Sequence, residues 1–170
     1  MIKEGRHYGS PFPFPKFYCC KDEYRDSRIY RFDDTICYDI DVDQSDVNKL
    51  FGYSYGFHQN QSDRIGFRYN IDLNKVEIVL YSYELGVRIA TKHIAYINIG
   101  DDVRIELSVK IINETQREVK VTVENVFTKQ VEGLSLTLKY KKKCFGYTLG
   151  LYFGGNRTAP HDIIIKEEKQ

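Results

Sequence analysis

From Arg28 onward, apolar and polar residues alternate with a period near two, which predicts strands. "VRIELSVKII" places Val103, Ile105, Leu107, Val109 and Ile111 on one face and Arg104, Glu106, Ser108 and Lys110 on the other. "REVKVTVENV" repeats the plan with Val119, Val121 and Val123, and "GLSLTLKY" with Leu134, Leu136 and Leu138. These segments predict a sheet that is apolar inward and charged outward. A second group is mixed. "RIGFRYN" buries Ile65, Phe67 and Tyr69 and presents Arg64, Gly66, Arg68 and Asn70. "KVEIVLYSY" sets Val76, Ile78 and Leu80 against Glu77, Val79, Tyr81 and Tyr83. In "CFGYTLGLYF" the bulky Phe145, Tyr147, Leu149, Leu151 and Phe153 are expected inward, with Gly146, Thr148, Gly150 and Tyr152 opposite. Strand glycines permit close approach of a ligand or backbone, so this second face predicts a shallow trough.

Roughly ten short strands without a sustained helical period predict an all-β fold, a two-sheet antiparallel β-sandwich. Only the acidic connection over 43–50 leaves room for a helical turn. "YELGVR" predicts a tight hairpin turn at Gly86. Residues 1–27 read as an extended N-terminal arm, because Pro11, Pro13 and Pro15 restrict the backbone. Phe12, Phe14 and Phe17 are expected to dock that arm on a single domain, 28–170.

Composition narrows the function classes. The 170 residues carry a net charge of +1 with both signs interspersed, which argues against a nucleic-acid surface. The "KYKKK" run at 139–143 reads as a solvated hairpin end. No apolar run approaches a membrane span. The start has no apolar signal segment, which predicts a cytoplasmic protein, or an exported one if the chain is a trimmed mature form. No P-loop, dinucleotide fingerprint or G-x-S-x-G occurs, so no cofactor is expected. Cys19 and Cys20 are adjacent, which is wrong for a zinc knuckle; Cys37 and Cys144 are expected to be buried free thiols. Asp39, Asp41 and Asp43 resemble the start of a calcium loop, yet its glycine is absent and Leu50 takes the place of the bidentate glutamate. Four scattered histidines form no metal set; Asp162 could orient the adjacent His161 as a base, but neighbouring strand residues face opposite ways, so a structural role is expected for this pair.

The 14 tyrosines and 10 phenylalanines, with no tryptophan, change the picture most. Tyrosine rings offer flat contact area with a polar tip. On the mixed face, Arg68, Glu77, Tyr81, Tyr83 and Tyr152, flanked by His58, Asn156 and Arg157 from loops, form the candidate binding surface. Rings suit sugar faces, and the arginine fork suits a carboxylate, so an oligosaccharide or acidic polysaccharide is the expected partner. Glu77 is the single central carboxylate, and glycoside hydrolysis needs a pair.

The pattern resembles a concanavalin-like jelly roll, and "CFGYTLGLYF" is similar in plan to the late concave-sheet strand of alginate-lyase-type polysaccharide lyases. That resemblance implies a site of histidine, tyrosine, arginine and an amide, with Arg68 and Tyr152 as matches. The family's glutamine–apolar–histidine strand motif has no counterpart; "KVEIVLY" is nearest in character. "NKLFGYSYGFHQNQSDRIGFRYN" and "GLYFGGNRTAPHDI" also resemble segments of small proteins from gut Bacteroidetes-type bacteria. The expectation is therefore a non-catalytic carbohydrate-binding module. A polysaccharide lyase is the alternative, and an oligomeric subunit that buries the mixed face between chains is a third.

Overall fold

The computed structural model describes residues 1–9, 14–89 and 91–169; Pro11, Phe12 and Pro13 of the expected arm lie outside them. The strands are β1 (Phe17–Cys19), β2 (Glu23–Phe32), β3 (Asn48–Ser54), β4 (Ser62–Asn70), β5 (Lys75–Glu84), β6 (Val87–Arg88), β7 (Lys92–Ile97), β8 (Asp102–Asn113), β9 (Gln116–Asn125), β10 (Val131–Lys139), β11 (Phe145–Leu149) and β12 (Ile165–Lys169). They form two antiparallel sheets. One has five strands in the order β10-β9-β8-β2-β12. The other has seven, in the order β1-β11-β3-β4-β5-β6, with β7 also pairing β5. The expected two-sheet sandwich is the observed architecture.

The alternation in β8 and β9 does what the pattern predicts. Val103, Ile105, Leu107, Val109, Val119, Val121 and Val123 are buried against Ile65, Phe67, Val76, Ile78 and Leu80 of the other sheet. Aromatic residues of β2 join the layers: Tyr30 stacks on Phe51 with ring centres 6.0 Å apart, and Phe32 meets Phe67 at 5.3 Å. The turn between β5 and β6 is the two residues Leu85 and Gly86, at φ 51° and 89°. Positive φ at both positions is what a tight antiparallel hairpin requires.

A pair of opposite charges sits in the core. Arg117 on β9 and Asp63 on β4 are both fully buried and pair across the sheets, Nε to Oδ2 at 2.7 Å and Nη2 to Oδ1 at 3.0 Å. Arg117 also donates to the carbonyl of Tyr83 at 2.9 Å. The pair ties the ends of β4 and β5 to the facing sheet.

Several expectations change. β2 begins at Glu23 and so crosses the expected boundary at 27/28. Phe14 and Phe17 remain 82% and 73% exposed, although the Phe17 ring meets that of Tyr147 at 5.6 Å; what enters the core from the start of the chain is Ile2, which pairs through its backbone with Ile163 at 2.8 Å. Cys37 and Cys144 are exposed rather than buried, because each lies just beyond a regular element, where alternation no longer governs facing. The 139–143 run is no hairpin end: it carries the chain from β10 in one sheet to β11 in the other, with Tyr140 buried. The acidic connection contains a short 3-10 turn at Asp41–Ser45.

Candidate functional site

Strand register brings the mixed-face residues into rows. Gly52, Arg64 and Tyr81 lie opposite one another across β3, β4 and β5. Ser54, Ser62 and Tyr83 form the neighbouring row. Lys49, Gly66, Val79 and His93 form the row on the other side. A groove of about 520 Å³ opens over these rows, walled by Tyr147 to Tyr152, His58 and Tyr8.

Lys49 reaches this face because of a bulge. Register slips between Lys49 and Phe51, so Leu50 and Phe51 both enter the core while Lys49 turns outward. Its ammonium lies 4.7 Å from the centre of the Tyr81 ring and 5.4 Å from that of Tyr152. Lys49 is 8% exposed. Burial, with the Arg64 charge adding to it, pushes its pKa down to about 8, against a smaller opposing pull from Asp46.

Arg64 is 9% exposed. Its Nη2 donates to the carbonyl of Gly150 at 2.9 Å, while its Nε is buried without a hydrogen-bond partner among the described residues. Burial lowers its pKa to about 10, so it stays charged at neutral pH. Among the described residues, no ion pair neutralises either Lys49 or Arg64. Two buried cations without a bound carboxylate are costly. A ligand bringing a negative charge relieves that cost.

Tyrosines complete the walls. Tyr81 and Tyr83 meet edge to face at 5.9 Å, and Arg88 lies 5.9 Å from the Tyr81 ring. Tyr152 is clamped between backbone bonds to Lys49, at 2.8 and 2.9 Å, and rings of His7 and Tyr8, at 5.3 and 5.2 Å. Burial raises the Tyr152 hydroxyl above its ordinary value and keeps it protonated. The Tyr147 hydroxyl binds His58 Nδ1 at 2.8 Å and accepts from the His58 backbone at 3.2 Å. Burial, then the Arg64 charge, lower the His58 pKa. The imidazole is therefore neutral at pH 7.

Of the expected site residues, Tyr81, Tyr83, Tyr152 and His58 line this groove. Arg68 and Glu77 share its sheet face but belong to a second depression with Tyr96. They face each other in register and form an ion pair, and His93 Nδ1 binds the same carboxylate at 2.9 Å. Burial works against ionisation of Glu77, but the bonds from Arg68 and His93 outweigh it and lower its pKa. Arg68 is thus engaged within the protein, and Arg64, four residues earlier on the same face, is the arginine that lines the groove. Asn156 is exposed outside the groove, and Arg157 turns toward Asp41 and Asp43, each 3.9 Å away. Tyr147 and Leu149 line the groove instead of pointing inward; buried Gly146 is the residue that faces the interior there. His161 binds the carbonyl of Thr35 at 2.8 Å, and Asp162 pairs with Lys3 at 2.6 Å, so each side chain is engaged elsewhere in the fold rather than with the other. Lys49, Arg64 and Tyr147 are among the groove residues that the expected site did not include.

The five-stranded sheet also carries a depression, of about 460 Å³. Its lining pairs off internally, Arg25 with Glu106 at 2.9 Å and Lys120 with Glu118 at 3.2 Å. Tyr24 is its one aromatic lining residue, and its charges are matched, Lys110 pairing with Glu23 at 3.9 Å.

No protein-family model matches the chain, and no curated protein matches it significantly in sequence. Its fold is similar to two kinds of solved alginate lyase. One is a variant of alginate lyase Aly36B, with a lysine and a tyrosine replaced by alanine, in complex with an alginate tetrasaccharide. The TM-score is 0.69 at 13% identity, over 99% of this chain and 76% of that one. The other is the marine PL-14 alginate lyase from Aplysia kurodai, with a TM-score of 0.59 at 13% identity, over 87% of this chain and 68% of that one. The jelly-roll expectation is shown by these matches. The expectation of a non-catalytic module is overturned by them, since the broad-coverage matches are catalytic lyases.

Proposed function

We propose that the chain is a polysaccharide lyase that cleaves a uronate-rich polysaccharide of the alginate class by β-elimination in the Lys49–Arg64–Tyr81 groove. The observation that carries this reading is the pair of buried, unneutralised cations, Lys49 and Arg64, under a canopy of tyrosines. An acidic sugar supplies the missing negative charge. The fold likeness to alginate lyases supports it, as does the tetrasaccharide-bound Aly36B variant, which lacks a lysine and a tyrosine.

Elimination needs three groups. A cation must neutralise the uronate carboxylate, which makes the neighbouring C5 proton acidic. Arg64 supplies it, with its Nε free to donate, in the planar geometry that suits a carboxylate. A base must take the C5 proton. Lys49, with a pKa of about 8, is substantially neutral in mildly alkaline solution and suits that task. An acid must protonate the departing O4. Tyr81 lies beside Lys49 and opposite Arg64. As the C5 proton passes to Lys49, the electron pair forms the double bond between C4 and C5, the C4–O4 bond breaks, and O4 takes the Tyr81 proton. Tyr147 and His58 offer hydrogen bonds to neighbouring sugar hydroxyls.

The test is ultraviolet absorbance of the unsaturated uronate when alginate and other uronate polymers are supplied. Wild-type protein is expected to generate it. Lys49→Met is expected to lose about 10²–10⁴-fold in rate, the usual worth of a placed acid or base, and Arg64→Met about 10²–10³-fold, the usual worth of a donor to developing negative charge. Full activity in Lys49→Met, or no absorbance from any uronate polymer, overturns the reading.

A further inference from the structure

The sheet edge beside the groove carries a pair of thiols outside the proposed chemistry. β1 and β11 pair antiparallel, Phe17 opposite Tyr147, Tyr18 opposite Gly146 and Cys19 opposite Phe145. One step further along, this register sets Cys20 opposite Cys144, and the Cys20 N–H donates to the Cys144 carbonyl at 3.0 Å. Opposed residues in such a hydrogen-bonded pair have Cα atoms about 5.5 Å apart, inside the range of about 4.4–6.8 Å that disulfides span. Their side chains leave the same face of the ribbon, whereas that of Cys19 leaves the other. Cys37 follows the 3-10 turn Asp34–Ile36 in a different part of the fold.

We propose that Cys20 and Cys144 form a redox modification site, closing to a disulfide when a small-molecule disulfide such as oxidised glutathione is present. Cys144 is exposed and meets the oxidant first, while Cys20 is partly buried and acts as the resolving thiol. The Cys144 thiolate attacks oxidised glutathione, giving a mixed disulfide and releasing one glutathione. The Cys20 thiolate then attacks the Cys144 sulfur and expels the second. Two protein thiols give up two electrons and two protons. The electrons reduce one oxidised glutathione, and the two released glutathione thiolates take the protons. Burial raises the Cys20 pKa, so the second step is expected to quicken in alkaline buffer.

The bond would staple the least supported wall of the groove. β1 has three residues, and β11 pairs with β3 at two positions, Thr148 with Tyr53 and Leu149 with Gly52. Yet β11 contributes Tyr147, Thr148 and Leu149 to the groove lining. The crosslink closes a loop of more than a hundred residues, the case in which the chain-entropy effect is large.

The experiment uses the full chain, reduced and then incubated with oxidised glutathione, followed by alkylation of free thiols, intact mass and non-reducing peptide mapping. The expected result is two alkylated cysteines instead of four, a Cys20–Cys144 peptide, and a melting temperature raised by about 5–15 °C. Dithiothreitol reverses both. The reduced wild type is the reference, so the test requires no variant to fold. Cys20→Ser is expected to stop at a glutathione adduct on Cys144. Four free thiols, adducts without a crosslink in the wild type, or a Cys19–Cys144 link overturns the proposal. None of these readouts depends on activity in the groove.

Discussion

Replacing Lys49 by methionine is expected to stabilise the fold while slowing turnover about 10²–10⁴-fold. Methionine keeps the apolar stem and removes the buried charge. Lys49 titrates at about 8 in the folded protein and at its ordinary 10.5 when unfolded, so the folded state holds the proton less tightly. The resulting penalty is fully present below pH 8, shrinks as pH rises from 8 to 10.5, and vanishes above. By linkage it amounts to about 3 kcal/mol at pH 7 and about 2 kcal/mol at pH 9. The lost attraction to the Tyr81 and Tyr152 rings offsets about 1 kcal/mol of the gain. The net gain is then about 2 kcal/mol at pH 7, or about 4–8 °C in melting temperature for a chain of this size. At pH 9 it falls to about half of that. Urea unfolding of both proteins at the two pH values measures it. A variant less stable than wild type, or a gain that is the same at both values, refutes the reasoning.

Asp63→Asn strands the buried Arg117 charge and is expected to cost about 3–5 kcal/mol in urea unfolding, with the Asp63→Asn/Arg117→Met pair recovering most of it. Glu77 has a lowered pKa in the folded state, so its stabilisation is present above the ordinary value of 4.5 and is lost as pH falls through the folded value. Glu77→Gln is accordingly expected to be less stable than wild type at pH 7, with the two converging on acidification. The wild-type rate is expected to rise with pH through about 8, following the neutral form of Lys49, and a rate that falls over that interval contradicts its role as base. Tyr81→Phe is expected to lose about 10²–10⁴-fold in turnover while its melting temperature stays close to that of wild type.

The β4 and β5 faces were legible in the sequence because both strands keep strict alternation over the groove rows. Arg64, Tyr81 and Tyr83 therefore fall where period two puts them. Which of Arg64 and Arg68 serves the groove was not legible. Strand pairing decides it, by setting Arg68 opposite Glu77, and pairing is not a property of either strand alone. Lys49 was hidden by the bulge: strict alternation gives Lys49 and Phe51 the same face, and one extra residue separates them. In β11 the bulky residues suggest a core face, and the structure turns Tyr147 and Leu149 to the groove instead. The interior side there is crowded, and a side chain on Gly146 would run into the carbonyl of Ser54 and the Tyr18 ring. Glycine is required on the inward side, which turns Tyr147 outward to the groove.

The most direct test of the central claim is the mass of the cleaved products. Mass spectrometry of an alginate digest by wild-type protein, beside a digest by Lys49→Met, distinguishes elimination from hydrolysis. Elimination leaves new non-reducing ends with a double bond, one water lighter than hydrolysis would leave them. The account predicts such ends from the wild type and, in the same time, about 10²–10⁴-fold fewer of them from Lys49→Met. Hydrated ends, or unsaturated products in equal yield from both proteins, would contradict it.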